Sequence, residues 1–409
     1  MAQPSAHPAR ILLLEGIHPV AKEILEREGF TVRLETHSPK EEELDKWLKD
    51  FDALGVRSKT QVSAKLLQVN KHLLTIGAFC IGTDQVSLEA ANAIGVPVFN
   101  APYSNTRSVA ELVMAEIVSL SRQLGDRNMK AHLGDWVKSA DGSREIRGKT
   151  LGLVGYGHIG SQVSVLAEAF GMRVLYFDII KKLPLGNSQN SRTLDDVLRA
   201  SDFVSLHVPD TAQTRNMIGR EQLAMMKKDA CLINASRGTV VNISELAAAI
   251  REKRIGGAAI DVFPNEPASN KEKFVSELQG LPNVILTPHI GGSTLEAQES
   301  IGGEVSQSFI GFLKTGSTRG AVNFPNVDLP VLHHGCHRII NVHKNVPGVL
   351  SDINRIVSDV GANIQAQSLS TDPQVGYLVM DLEKGEAHEV SERISKLSTS
   401  IKTRVVFRE

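Results

Sequence analysis

Three polar residues, Arg237, Glu266 and His289, follow three separate apolar stretches in the second half of the chain. A guanidinium can hold a carboxylate through two parallel hydrogen bonds. An imidazole can take up and return a proton near neutral pH, and a carboxylate beside it can hold the ring and favour its protonated form. Taken singly, each residue has a simpler interpretation: Arg237 as a surface charge, His289 as a loop residue and Glu266 as a solvated turn residue.

The stretches before these residues are predicted to be strands of a parallel sheet, because each is short and apolar and ends in polar residues or glycine. They are residues 230–235, 258–263 and 284–287, and residues 203–208 form a further stretch of the same kind. An open α/β sheet binds its ligands at the carboxyl ends of its strands. The first hundred residues carry a similar alternation, with strands predicted at 11–15, 52–57, 73–79 and 96–100 and a helix at 19–28. The sequence therefore predicts two parallel sheets, with a long helix at 108–124 between them.

A glycine-rich motif opens the second series. A predicted strand at 150–154 leads into Gly155, Gly157 and Gly160, and a predicted helix at 161–170 follows. In the dinucleotide fingerprint, the first glycine permits a tight turn, the second lets the backbone approach a pyrophosphate, and the third lets helix and strand pack closely. N–H groups at the helix start then face the phosphates.

Asp178 ends the next predicted strand, 173–178, at close to the spacing of about 20 residues at which an acidic residue meets the adenosine ribose. A carboxylate there accepts hydrogen bonds from a free 2′-hydroxyl group and repels a 2′-phosphate, so the motif favours NAD over NADP. The alternative is a glycine-rich turn that binds nothing. With NAD bound, Arg237 would anchor a 2-hydroxy acid, His289 would act as general acid and base, and Glu266 would be its partner.

Length and composition indicate a globular protein of two or three domains. The chain has 409 residues, a formal net charge of −1, 42% hydrophobic residues and 22% charged residues. This charge gives no reason to expect nucleic acid or a membrane as partner. Because the first residues lack the apolar core of a signal peptide and three cysteines make no disulfide framework, we expect a cytoplasmic protein.

The last 75 or so residues follow a different pattern. After a predicted helix at 293–314 and a linker at 315–335, strands are predicted at 338–343, 364–370, 376–382 and 403–407, and helices at 348–360 and 389–397. This βαββαβ order describes a small domain whose exposed sheet edges commonly pair with a copy of the same domain. His333, His334, Cys336 and His337 lie within five residues. Such adjacent ligands cannot surround one tetrahedral ion, so we expect a polar linker and no metal.

From about residue 10 to its end, the chain resembles the D-isomer-specific 2-hydroxyacid dehydrogenases. The resemblance rests on six motifs: GVRSKT (55–60), FCIGTD (79–84), NAPYSNTRSVAE (100–111), VGYGHIG (154–160), NASRGTV (234–240) and TPHIGGS (287–293). It implies two doubly wound parallel-sheet domains, Rossmann-like or flavodoxin-like. One, the substrate-binding domain, would consist of residues 1–104 and 294–330, and the other, which binds NAD, of residues 105–293. The active site would lie in the cleft, which closes to exclude water.

The resemblance also assigns ligand contacts. It implies cofactor contacts, in addition to the three glycines, at His158, Ile159, Asp178, Ala235, Ser236, Arg237, Asp261, His289, Ile290, Gly291 and Gly292. Asp261 would lie near the nicotinamide amide. Within the family, the likeness is to enzymes that oxidise 3-phospho-D-glycerate to 3-phosphohydroxypyruvate, the first step of phosphorylated L-serine biosynthesis.

For that substrate, the resemblance places Arg57, Ser58 and Asn105 at the substrate, and Lys59 is a further candidate cation for the phosphate. Lys59 stands where an arginine is expected, so the charge is kept but the bidentate fork is lost. Its alternative interpretation is an exposed loop cation. Two other functions remain open: oxidation of another 2-hydroxy acid (2-hydroxyglutarate, glycerate or lactate), or the role of a non-enzymatic, NAD-sensing protein similar to the C-terminal binding protein corepressors.

Residues 337–409 resemble an ACT domain, a small regulatory domain that binds small molecules. The resemblance implies that L-serine binds across a dimer of these domains at His343, Asn345 and Asn363 and inhibits the enzyme. A purely structural dimerisation domain is the alternative. By analogy with the family we expect a homotetramer, with Trp136 as a possible contact residue.

Overall fold

Short apolar runs separated by amphipathic helices build a five-stranded parallel sheet from the first hundred residues. The computed structural model describes residues 8–267, 271–329, 332, 335–383 and 385–407. The strands are β1 (Arg10–Leu13), β2 (Thr31–Leu34), β3 (Ala53–Val56), β4 (Thr75–Ala78) and β5 (Val98–Asn100), in the order β2-β1-β3-β4-β5. The helices are α1 (Pro19–Arg27), α2 (Glu41–Leu48), α3 (Ala64–Val69) and α4 (Leu88–Ala93). β3 and β4 are buried along their whole length, as parallel strands covered on both faces must be.

Two helices, α5 (Thr106–Arg122) and α6 (Leu124–His132), precede the second sheet. The predicted helix at 108–124 therefore ends early, because Gln123 has a left-handed backbone conformation (φ 51°) that interrupts it. The strands that follow are β6 (Thr150–Val154), β7 (Arg173–Phe177), β8 (Gln189–Asn190), β9 (Phe203–Leu206), β10 (Cys231–Asn234), β11 (Gly257–Ile260) and β12 (Val284–Leu286), and the helices are α7 (His158–Ala169), α8 (Leu194–Ala200), α9 (Arg220–Met225) and α10 (Ile243–Arg251).

The seven strands of this second sheet are all parallel, in the order β12-β11-β10-β9-β6-β7-β8. The direction in which strands are added reverses between β6 and β9. In doubly wound sheets such a reversal opens a crevice at the carboxyl ends of the strands, where nucleotides bind. The glycine-rich turn that follows β6 lies at this point.

The C-terminal part forms an antiparallel sheet covered by two helices. After α11 (Leu295–Thr315) come β13 (Cys336–Lys344), α12 (Val349–Val360), β14 (Ile364–Thr371), β15 (Val375–Glu383), α13 (Ala387–Ser395) and β16 (Ser400–Phe407). The strand order is β14-β15-β13-β16. This is the predicted βαββαβ fold, and the fold class predicted for the whole chain is confirmed.

Contacts divide the chain into two compact units, residues 1–104 with 298–409, and residues 105–297. The C-terminal sheet and the first parallel sheet belong to the same unit because they share an apolar core. In that core Ile340, Val342 and Tyr377 of the C-terminal sheet pack with Phe309 and Phe324. Among the described residues, no helix is long and apolar enough to cross a membrane.

The C-terminal end of α11 is capped by side chains of the C-terminal sheet. A helix leaves its last four carbonyl groups without partners inside the helix. Here Arg404 donates to the carbonyl groups of Phe312 and Leu313, Arg338 Nη1 donates to that of Thr315 (3.0 Å), and the Tyr377 hydroxyl group donates to that of Gly316 (2.6 Å). Arg338 is itself buried in a bidentate pair with Asp381, at 2.6 and 2.7 Å.

Candidate active site

The turn after β6 has the geometry that a dinucleotide requires. Gly155 has φ 91°, and a Cβ atom on it would lie 2.2 Å from the His207 carbonyl oxygen. A Cβ atom on Gly160 would lie 2.3 Å from the carbonyl oxygen of Gly155, whereas one on Gly157 would meet no atom within 4 Å. The space in front of Gly157 is open, and α7 begins at His158 with its first N–H groups beside that space.

Asp178 follows β7 directly, and its carboxylate is fixed by the backbone. One oxygen accepts a hydrogen bond from the N–H of Tyr156 and the other from the N–H of Ile180, both at 2.8 Å. A carboxylate has about four lone-pair positions, so two remain for the hydroxyl groups of a ribose. The turn, the helix start and this carboxylate together fit NAD.

His289 and Glu266 form a hydrogen-bonded pair in the second unit. His289 Nδ1 lies 2.9 Å from Glu266 Oε2, and Glu266 Oε1 accepts from the N–H of Phe263 at 3.1 Å. The side chains stay accessible, with 53% of His289 and 36% of Glu266 exposed. The second ring nitrogen of His289 is therefore the one available to a substrate.

The pair shifts both pKa values in opposite directions. The hydrogen bond to Glu266 raises the pKa of His289 above its ordinary value, against the opposing effect of partial burial. Burial acts to raise the pKa of Glu266, but the hydrogen bond and charge of His289, together with the N–H of Phe263 and the charge of Arg237, outweigh it and the pKa is lowered. Glu266 thus favours the imidazolium form that results when His289 takes up a proton.

A buried carboxylate, Asp261, holds the turn that carries His289. Asp261 follows β11 and is only 1% exposed. Its oxygens accept hydrogen bonds from Thr287 Oγ1 (2.6 Å) and from the N–H groups of Ile290 (2.8 Å) and Gly291 (2.9 Å). Its carbonyl oxygen accepts from the N–H of His289 (2.8 Å). The left-handed backbone of His289, φ 54°, is fixed by these bonds.

Arg237 is positioned by the last residue of β10. Asn234 is fully buried, accepts from the N–H and Oγ of Ser236, and donates to the carbonyl oxygen of Arg237 at 3.0 Å. The guanidinium donates to the Ser236 carbonyl group, and its charge acts on the pKa values of His289 and Glu266. Among the described residues Arg237 has no ion-pair partner, so it is free to bind a substrate carboxylate.

Asn105, the predicted substrate residue of the second unit, begins α5 beside the same turn. A Cβ atom on Gly292 would lie 2.5 Å from Asn105 Nδ2. Asn105 Oδ1 is buried and has no hydrogen-bond partner in the part of the chain that the structure describes. Such an orphaned acceptor is costly unless a ligand or water satisfies it.

The other three predicted substrate residues, Arg57, Ser58 and Lys59, lie in the first unit directly after β3. The side chains of Ser58 and Lys59 are exposed, and Arg57 is partly buried. None of the three has an acidic side-chain partner within ion-pair distance among the described residues. Glu15 accepts a hydrogen bond from the backbone of this loop, and Gln85 donates one to it. Sequence reasoning assigned no function to either residue.

The predicted effector residues lie at the end of the C-terminal sheet. His343 is buried against Gly376, with Nδ1 3.0 Å from Asn341 Oδ1, and burial lowers its pKa. Asn345 is exposed and donates to the carbonyl oxygen of Asp372 at 2.7 Å. Asn363 is exposed just before β14. His343 is therefore a neutral partner for hydrogen bonds at neutral pH.

His333 and His334 of the histidine- and cysteine-rich stretch lie outside the described residues. Within the described ranges, no group of three or more histidine, cysteine or acidic side chains could hold a metal ion.

Comparison with known proteins identifies related sequences and structures. Residues 114–291 match the NAD binding domain of the D-isomer specific 2-hydroxyacid dehydrogenases, and residues 339–402 match the AHAS small subunit-like ACT domain. The chain is 52% identical to the D-3-phosphoglycerate dehydrogenase of Dictyostelium discoideum and 48% identical to that of Haemophilus influenzae, in each case over 97% of both chains. The crystal structure of D-lactate dehydrogenase from Aquifex aeolicus, complexed with NAD and lactic acid, is 28% identical, with a TM-score of 0.67 over 77% of this chain and 100% of that chain.

Proposed function

The chain belongs to the D-3-phosphoglycerate dehydrogenases, and from this premise we propose how its residues perform the reaction. It is an NAD-dependent oxidoreductase that converts 3-phospho-D-glycerate to 3-phosphohydroxypyruvate, the first step of phosphorylated L-serine biosynthesis. The observation that supports the mechanism most directly is the hydrogen bond between His289 and Glu266, with an unpaired Arg237 in the same unit.

In the proposed mechanism, Arg237 binds the substrate carboxylate and polarises the bond between C2 and its oxygen. His289 takes the hydroxyl proton on Nε2, because Nδ1 is engaged with Glu266. Glu266 stabilises the resulting imidazolium. When bound, the cofactor would supply the acceptor for the hydride that leaves C2. In the reverse direction, the imidazolium returns the proton to the carbonyl oxygen.

The cofactor is NAD, and the residues that we propose hold it fall into three groups. Gly155, Gly157, His158, Ile159 and Gly160 would bind the pyrophosphate, and Asp178 the ribose. The nicotinamide end would contact Ala235, Ser236, Arg237, Asp261, His289, Ile290, Gly291 and Gly292. The accessible His289 and the orphaned Asn105 Oδ1 support a substrate position beside this last group.

The substrate phosphate is a dianion, and we propose that Arg57, Ser58 and Lys59 bind it. These side chains carry two positive charges and a hydroxyl group at the carboxyl end of β3. Asn105 would complete the substrate site. Residues 1–104 and 294–330 would thus be the substrate-binding domain, residues 105–293 the NAD-binding domain and residues 337–409 the ACT regulatory domain.

For regulation, we propose that L-serine binds at His343, Asn345 and Asn363 and inhibits the enzyme. The neutral His343 and the exposed amides can hydrogen-bond a carboxylate and an ammonium group. We also propose a cytoplasmic homotetramer. A group of large apolar side chains on and after α6 supports self-association: Leu124, Met129, Leu133, Trp136 and Val137, of which Trp136 is 88% exposed.

The test is NADH formation with 3-phospho-D-glycerate, D-glycerate and D-lactate in parallel, with and without L-serine. We expect a clear preference for the phosphorylated acid and inhibition by serine. Equal turnover of the three acids would refute the phosphate site. Full activity in millimolar serine would refute the effector site without affecting the catalytic assignment.

A further inference from the structure

The first sheet has its own topological switch point, and two loops meet there. In the order β2-β1-β3-β4-β5, the chain adds strands on one side of β1 and then on the other, so the reversal lies between β1 and β3. In sheets of this order ligands bind at the carboxyl ends of those two strands. Arg57 follows β3 at this edge, and Glu15 follows β1 beside it.

The carboxylate of Glu15 holds the Arg57–Thr60 loop through three backbone N–H groups. Oε1 accepts from the N–H groups of Arg57 (3.1 Å) and Thr60 (2.8 Å), and Oε2 accepts from that of Lys59 (3.0 Å). On the other side, Gln85 Nε2 donates to the carbonyl oxygen of Arg57 at 2.6 Å. Hydrogen bonds thus hold the N–H and the carbonyl group of Arg57 and the N–H groups of Lys59 and Thr60.

The backbone conformation of Glu15 favours glycine, which indicates that the glutamate side chain has a role at this position. Its φ is 60°, in the left-handed region that favours glycine, and Gly16 follows with φ 61°. A residue with a Cβ atom is unfavourable in this conformation. Glycine would relieve the backbone but would leave three N–H groups of the loop without their acceptor.

This arrangement determines how the loop can bind an anion. Because the N–H groups of Arg57, Lys59 and Thr60 point to Glu15, they are not free to form an anion-binding nest of the kind found in phosphate loops. Recognition then depends on the side chains of Arg57, Ser58 and Lys59, of which the last two are exposed and the first is partly buried. A negative group so close to an anion site is unfavourable in itself, so its benefit must come from positioning.

We propose that Glu15 is a positioning residue for the terminal anion of the substrate. It fixes the loop so that Arg57, Ser58 and Lys59 present their side chains together to a phosphate, and it prevents recognition by the loop backbone. The inference rests on the proposed role of these three residues in substrate binding. It predicts that Glu15 affects phosphorylated substrates specifically.

The experiment compares Glu15→Gln with Glu35→Gln, using 3-phospho-D-glycerate and D-glycerate as substrates. Glu35 follows β2 at the same sheet edge, and its side chain contacts Arg33 and not the loop. Both variants remove one negative charge, but only the first replaces an acceptor of the loop N–H groups by an amide. KM and kcat are measured for each substrate, with NADH affinity and the midpoint of thermal unfolding.

For Glu15→Gln we expect the KM for 3-phospho-D-glycerate to rise roughly tenfold or more, because charge-assisted hydrogen bonds are lost. Its kcat, the NADH affinity and the kcat/KM for D-glycerate should each change less than about twofold. Glu35→Gln should leave all of these within about twofold. A second variant, Gln85→Leu, releases the loop from the other side and should raise the same KM by a smaller factor.

Equal losses on both substrates, or a lower unfolding midpoint with an unchanged KM, would show a merely structural role and overturn the inference. If Glu15→Gln does not fold, Gln85→Leu decides by the same comparison between substrates. A wild-type enzyme inactive on 3-phospho-D-glycerate would instead refute the proposed function. An active wild type with unaffected variants would refute only the role of Glu15.

Discussion

In each of the two units one carboxylate holds a loop of the proposed site, but the two carboxylates differ in their exposure to solvent. Asp261 is 1% exposed and accepts three hydrogen bonds from the His289 turn. Glu15 is only partly buried and accepts three from the Arg57–Thr60 loop. A sealed carboxylate makes its loop rigid, as proton transfer requires. A carboxylate open to water can be replaced in part by solvent, which suits a loop proposed to bind a solvated phosphate.

A second difference is the buried neighbour of Asp261. Glu116 on α5 is 3% exposed, and its carboxyl oxygens have no hydrogen-bond partner among the described residues. Burial, with a smaller contribution from the charge of Asp261, raises the pKa of Glu116 to about 8. Glu116 is therefore mostly protonated at neutral pH. Beside the buried carboxylate of Asp261, the second buried carboxyl group, that of Glu116, is therefore accommodated in its protonated form.

The largest effect should follow from removing the group that the Asp261 turn presents. In His289→Ala, kcat should fall by roughly 10²–10⁴-fold, the usual contribution of a general acid and base, while NADH still binds. His132→Ala, in an exposed helix end, is the control. Steady-state kinetics and NADH fluorescence titration measure both quantities. Turnover retained in His289→Ala would refute the proton-transfer role.

The next effect tests the comparison directly through stability. Asp261→Ala removes a buried acceptor from the donors of Thr287, Ile290 and Gly291 and should lower the free energy of unfolding by about 3 kcal/mol or more. Glu15→Ala should cost only about 1 kcal/mol, because Glu15 is partly exposed and water can take the place of its carboxylate, and because the left-handed backbone is equally strained in wild type and variant. Urea unfolding of each variant gives the two values. Equal losses of unfolding free energy in the two variants would show that the different burial of Asp261 and Glu15 has no effect on stability.

A smaller effect concerns Glu116 and pH. Since its pKa is higher in the folded state than in the unfolded state, the folded protein binds the extra proton and stability falls as pH rises toward 8. Between about pH 5 and pH 8, wild type should lose roughly 3 kcal/mol that Glu116→Gln does not lose, because the amide cannot ionise. Urea unfolding at several pH values measures this slope. Parallel stability curves for the two proteins would contradict the assignment.

The smallest effect sharpens the description of the catalytic pair. Glu266 raises the pKa of His289, so Glu266→Gln should lower it. Oxidation needs the neutral imidazole, so its rate should begin to rise at a lower pH. Reduction needs the imidazolium, so at pH 8 it should slow. Profiles of kcat/KM against pH in both directions test this, and unshifted profiles would show that Glu266 does not act on His289.

Sequence reasoning found those parts of the site that local patterns encode. The strand, turn and helix around Gly155 and the polar residues after buried strands follow from periodicity and from where parallel strands end. The helix after the glycine-rich motif begins at His158 and not at Ser161. Gly157 is its N-cap residue, and glycine weakens the helical pattern in the sequence. The short helices α2 to α4 carry too few turns for their periodicity to stand out.

The parts that sequence reasoning missed depend on contacts between distant residues. Glu15 meets Lys59 and Thr60 from 44 and 45 residues away, and Asp261 meets Ile290 from 29 residues away. Glu116 looks like an ordinary polar position in a long helix until the strands that cover it are placed. No local pattern distinguishes a carboxylate that organises a loop from one that faces solvent.

The capped end of α11 has a consequence for any shortened form of this protein. A chain cut after residue 329 would leave the last carbonyl groups of that helix without Arg338, Tyr377 and Arg404, and would uncover Phe309 and Phe324. Such a fragment would expose an apolar surface, and we expect it to aggregate. A stable shortened protein would need other residues to cap the C-terminal end of α11.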